Sequence, residues 1–112
     1  MSKASHIRDC RVLEDIPNIG RSLGADLRLL GIRKPAELSG RDPYALYDAL
    51  CRKTRARQDP CVLDTFIAAV RFAEGGPPQP WWAFTAERKQ ALLLRGALDA
   101  PAPARAMRKG RR

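Results

Sequence analysis

Leu13-Glu14-Asp15-Ile16-Pro17-Asn18-Ile19-Gly20 is a turn set between two apolar stretches. No helix passes through it, because Pro17 lacks an amide proton and its ring pushes Ile16 out of the helical region. Asn18 and Gly20 tolerate backbone conformations that other residues avoid, and Ile19 between them is an apolar plug. A new helix is predicted from about Arg21 to Leu30, since Leu23, Leu27 and Leu30 recur three or four residues apart on one face. Gly31 supplies its stop. On the other side of the turn, a short first helix is expected over Asp9–Asp15, with Val12 and Leu13 as its apolar residues.

Working outward, Lys34-Pro35-Ala36-Glu37-Leu38 reads as one helical turn ended by Gly40. Asp42 and Pro43 then form a helix start, the carboxylate as cap and the proline at the first position. Leu46, Tyr47, Leu50 and Cys51 make the apolar stripe of that helix. The same start recurs at Asp59-Pro60 and opens a helix carrying Leu63, Phe66, Ile67 and Val70 on one face, widened by Val62, Ala69 and Ala73. This helix is expected to be central. Gly75-Gly76-Pro77-Pro78-Gln79-Pro80 breaks the pattern, Trp81 and Trp82 follow, and Thr85 is expected to cap a last helix reaching about Leu98. The fold class is therefore all-α, with five to six helices. Residues 1–8 are expected to be a loose terminus, residues 9–99 the folded domain, and residues 100–112 a disordered basic tail.

Composition agrees with a helical core. Of 112 residues, 45% are hydrophobic but only 6% aromatic, so the core rests on Leu, Ile, Val and Ala. The net charge of +9 favours a polyanionic partner. Its distribution tempers that inference: residues 1–99 hold 16 of the 21 cations and all 12 acids, a balance of +4, while Arg105, Arg108, Lys109, Arg111 and Arg112 crowd the tail. Cys10, Cys51 and Cys61 form an odd set without a Cys-x-x-Cys pair, expected as reduced thiols in the cytoplasm. No apolar run is long enough to span a bilayer, so no membrane role is expected.

The turn and the helix after it resemble the helix-hairpin-helix motif, whose usual hairpin is Pro-Gly-apolar-Gly. In that motif the second helix begins with unpaired amides, expected here at about Ile19 to Ser22. They form a small positive concavity that a phosphate oxygen can enter. The resemblance points to Pro17, Asn18, Ile19, Gly20, Arg21 and Ser22 as a nucleic-acid backbone site that reads no bases. Asn18 replaces the first Gly of the motif. Ser22 stands where a cation often lies, two residues past the final Gly, with Arg21 just before it.

Leu13 to Gly20, Gly40-Arg41-Asp42-Pro43-Tyr44, Asp59-Pro60-Cys61-Val62-Leu63-Asp64 and Pro80-Trp81-Trp82 together resemble the pathogenicity-locus family of small bacterial proteins, some labelled mitomycin resistance. The resemblance spans about Val12 to Lys89. It implies a helix-hairpin-helix fold and a loose link to DNA damage, and it carries no established mechanism.

Arg52, Lys53, Arg55 and Arg57 fall between two predicted helices and are a second candidate set of phosphate contacts, although charged loops are often only solvated. Trp81 and Trp82 are expected to clamp the Pro-rich bend against the core rather than to stack on bases. Asp42, Asp59 and Asp64 are expected as helix caps or first-turn residues. No cofactor or metal is expected, because the cysteines are spaced 41 and 10 residues apart, unlike zinc ligands. No catalytic role is expected either, because the single His6 lies near the terminus without a nucleophile beside it. Two functions compete. One is noncatalytic, sequence-independent DNA backbone binding, strengthened by a protein partner or a weak homodimer presenting two hairpins. The other is a protein-protein interaction module in which only the basic tail attracts nucleic acid.

Overall fold

The computed structural model describes residues 3–99. Four α-helices form among them: α1 Arg21–Leu29, α2 Pro43–Thr54, α3 Pro60–Ala73 and α4 Thr85–Asp99. Single 3-10 turns lie at Ile7–Asp9 and Leu13–Asp15 ahead of α1, at Pro35–Leu38 between α1 and α2, and at Trp81–Phe84 between α3 and α4, and no strand is present among the described residues. The class is all-α, with fewer helices than the five to six expected. The expected tail over residues 100–112 lies outside the described residues.

The helix starts follow the sequence closely. Asp42 accepts the amide of Tyr44 at 2.9 Å and Asp59 that of Cys61 at 2.9 Å, each with proline in the first turn. Gly31, at φ 90°, ends α1: its amide donates to Arg28 and that of Ile32 to Leu27, which satisfies carbonyls the helix leaves open.

The helix expected over Asp9–Asp15 does not form. Seven residues are too few to sustain an isolated helix, and the Asp15 carboxylate takes the amides of Arg11 and Val12 at 2.8 and 3.1 Å. That side-chain competition leaves Val12 extended and only the Leu13–Asp15 turn beyond it. The two-helix form of the hairpin is thus not present: a 3-10 turn precedes it and α1 follows. Residues from Lys3 onward, expected to be loose, lie against this turn, with the Ala4 amide on the Asp15 carbonyl at 2.9 Å.

α3 is the central helix, buried continuously from Leu63 to Val70. One side joins Leu13, Ile16, Ile19, Leu27, Ile32, Leu38, Leu46 and Leu50 in the main core. The other packs Leu63, Ile67 and Ala68 on Phe84, with Tyr44, Tyr47 and Leu92 at the margin. The hairpin is therefore anchored on one flank of α3, and the Trp81–Phe84 turn and α4 on the other.

Three expectations at this second flank are corrected. Asp64 is neither a cap nor a first-turn residue: it is the fifth residue of α3, fully buried, and accepts bonds from Thr85 Oγ1 at 2.7 Å and Arg88 Nε at 2.8 Å. Thr85 accordingly does not cap α4 with its side chain; it is already in helical conformation, and its hydroxyl ties α4 to α3. Trp82 does not clamp the bend either, being 64% exposed. With three residues per turn, positions 81 and 84 face the same way, so Phe84 anchors the segment and Trp82 points outward.

Candidate nucleic-acid interface

The corner begins with Asn18, whose φ of 73° is the left-handed conformation the turn requires. Its side-chain Nδ2 donates to the Gln79 carbonyl at 2.7 Å, tying the turn to the Pro-rich segment after α3. Ile19 is fully buried, the plug expected from the sequence. Its amide is not free, however: it donates to the Ile16 carbonyl at 3.1 Å. The expected set of open donors therefore starts one residue later, at Gly20.

Gly20 caps α1 without a side-chain bond, and the first backbone bond across the helix start runs from Gly24 to the Gly20 carbonyl. The amides ahead of Gly24 point out of the helix end without a side-chain acceptor. A Cβ built on Gly20 meets nothing within 4 Å. Gly20, Arg21 and Ser22 are all exposed, and Pro17 is half-buried. Oriented N–H groups, the helix dipole and an absent side chain give this corner the chemistry to receive a phosphate or carboxylate oxygen.

Charge around the corner is favourable. Arg21 stands on the first turn, and Lys3 reaches over the hairpin so that its ammonium donates to the carbonyls of Glu14 at 2.5 Å and Ile19 at 2.6 Å. Lys3 was not legible as a site residue, because it comes from an unpatterned stretch and meets carbonyls 11 and 16 residues away. The acids nearby are engaged. Glu14 accepts a bidentate pair from Arg28 at 2.7 and 2.8 Å, which holds its carboxyl down at about 2. Asp15 is lowered by the amides it caps.

Arg52, Lys53, Arg55 and Arg57 are exposed, but they do not share one surface. Arg52, Arg55 and Arg57 border a shallow depression of about 460 Å³ with Tyr47, Asp48 and Cys51. Lys53 lines a different one, of about 300 Å³, with Leu30, Arg41 and Asp42. Asp48 in the first depression is paired with Arg95 at 2.7 Å, which leaves the arginines dominant there. Burial pushes the Tyr47 hydroxyl up to about 12, and that hydroxyl donates to the Gln58 carbonyl. These cations lead into α3, whereas the Asn18 bond reaches the segment that follows it, so the two groups sit at opposite ends of that helix in the chain.

The three cysteines are free and half-buried. Burial, followed by nearby aspartates, raises the thiols of Cys10 and Cys61. Cys51 Sγ accepts the Gln58 amide at 3.4 Å. No group of three or more His, Cys, Asp or Glu converges among the described residues.

Together these features define a small all-helical protein with an uncapped helix start beside a tight turn and a cationic surround. The chain belongs to the Cdd1 "Pathogenicity locus" family, whose model matches residues 6–90. It is 43% identical over 84 residues to "Mitomycin resistance protein McrB" of Streptomyces lavendulae, an alignment covering 75% of this chain and 80% of the relative. No solved structure matches.

Proposed function

We propose that this chain is a noncatalytic, cytoplasmic DNA-binding protein that holds the phosphate backbone without reading sequence, at a corner derived from the helix-hairpin-helix motif. The observation that carries this reading is the uncovered start of α1. Gly20 offers neither a capping side chain nor a Cβ, and the space it leaves is empty. Arg21 and Lys3 add positive potential, Ser22 adds a hydroxyl donor, and the arginines around Cys51 form a separate set of contacts. The relative's name, mitomycin resistance, supports a link to DNA damage.

The testing experiment is a salt titration of DNA binding by the full chain, a chain lacking residues 100–112 and a full-length Gly20→Val variant. Each phosphate neutralised on duplex DNA contributes about 0.9 to the slope of log affinity against log salt. Affinity is expected to survive tail removal in reduced form and to fall on Gly20→Val with the tail intact. Unchanged binding by a folded Gly20→Val chain would remove the corner from the site.

A second reading has its own support. Val12, Leu29, Leu93 and Leu94 are exposed large apolar residues, the kind of surface that docks a protein. Under that reading DNA binding disappears with the tail.

A further inference from the structure

Trp82 is the most exposed aromatic side chain of the described residues, and its setting is built rather than accidental. The Trp81–Phe84 turn is closed by the Ala83 amide on the Pro80 carbonyl at 3.0 Å and pinned by buried Phe84. Trp81 meets Trp82 edge to face, with ring centroids 5.5 Å apart and planes at 85°, which steadies the outward indole. The segment carrying it is fastened to the hairpin, because Asn18 Nδ2 holds the Gln79 carbonyl at 2.7 Å. Gln79 and Trp82 are three residues apart, so at most about 11 Å of chain separates the Gln79 backbone, bonded to Asn18, from the backbone of Trp82.

A ring steadied in the open, on a segment hydrogen-bonded to the hairpin that carries the backbone grip, has the chemistry of a base platform. Bases within a duplex are covered by their neighbours, so a platform of this kind takes only a base that is out of the stack. We infer that Trp82 stacks on an unpaired base of a strand whose phosphate is held at Gly20–Ser22, so that the preferred ligand is single-stranded or locally unpaired DNA. The inference rests on the backbone-binding reading of the corner and narrows its substrate.

The test uses the full-length chain and its Trp82→Ala, Trp82→Phe and Gly20→Val variants, each checked for a cooperative melting transition well above the assay temperature. Fluorescence anisotropy follows binding to a short labelled oligothymidine and to a duplex of the same length. Trp82→Ala is expected to weaken oligothymidine binding on the order of 10-fold, with duplex binding changed less than about twofold and Trp82→Phe close to the parent. Gly20→Val is expected to weaken both. If Trp82→Ala leaves oligothymidine affinity unchanged while Gly20→Val lowers it, the stacking assignment is overturned and the corner stands. Equal loss on both ligands, or a Phe variant as weak as the Ala variant, also overturns it. Absence of binding to either ligand by the parent chain overturns both assignments and leaves Trp82 to a protein partner.

Discussion

Gly20 and Gly24 lie one helical turn apart and are glycine for different reasons. Gly20, at φ −96° and ψ −168°, is in extended backbone that any residue adopts, and its missing Cβ faces empty space. The fold therefore does not demand glycine there. Gly20→Val should fold, with a loss of at most about 1 kcal/mol for a poorer cap, measured by chemical denaturation; what it should lose is anion access. Gly24 is crowded, since a Cβ would lie 2.2 Å from Glu14 Oε2. Gly24→Ala should displace the Glu14 side chain and break its pair with Arg28. A pH series reports this. The native carboxyl, at about 2 instead of 4.5, holds its proton less tightly than in the unfolded chain, so its stabilisation is complete above 4.5 and is lost as pH falls towards 2. Melting temperature of the parent should decline over that range, and the decline should be shallower in Gly24→Ala.

Helices α2 and α3 are legible in the sequence because their starts are chemical: an aspartate cap followed by proline specifies where the chain turns helical. Residues 9–15 mislead because their apolar pair says nothing about the Asp15 carboxylate, which takes two amides that a helix would have needed. Asp64 misleads for the opposite reason. It follows the Asp59-Pro60 start by a full turn, and only the packing of α4 shows that it is buried against Arg88 and Thr85. The Asp64–Arg88 pair joins two helices inside the protein, and removing one partner of a buried pair costs about 3 to 5 kcal/mol by stranding the other charge. Asp64→Ala should therefore loosen α4 and reduce the free energy of unfolding by about that amount, measured with denaturant. An effect below about 1 kcal/mol, the range of an exposed pair, would mean that α4 is held by Phe84 and Leu92 alone.

For the molecule as a whole, charge is legible in amount and not in arrangement. The run from Arg52 to Arg57 reads as one cluster, yet the end of α2 divides it between two depressions. Lys3, Asn18 and Gln79 assemble the hairpin corner from three distant stretches, and no local spacing announces their meeting. If the arginines before α3 touch DNA in addition to the hairpin, replacing Arg52, Arg55 and Arg57 together by Gln should reduce the salt slope by about 0.9 for each phosphate they neutralise, while the Gly20 dependence persists. A slope unchanged by the triple substitution would leave those arginines as solvated surface at the end of α2.

The most direct measurement is a nitrogen-proton NMR titration of the full chain with a short DNA strand, followed at single backbone amides. Phosphate capture at the start of α1 predicts the largest shifts at Gly20, Arg21 and Ser22, with Ile19 moving little because its proton is already bound to Ile16. Shifts confined to residues 100–112, or to Arg52–Arg57 with Gly20 unmoved, would contradict it.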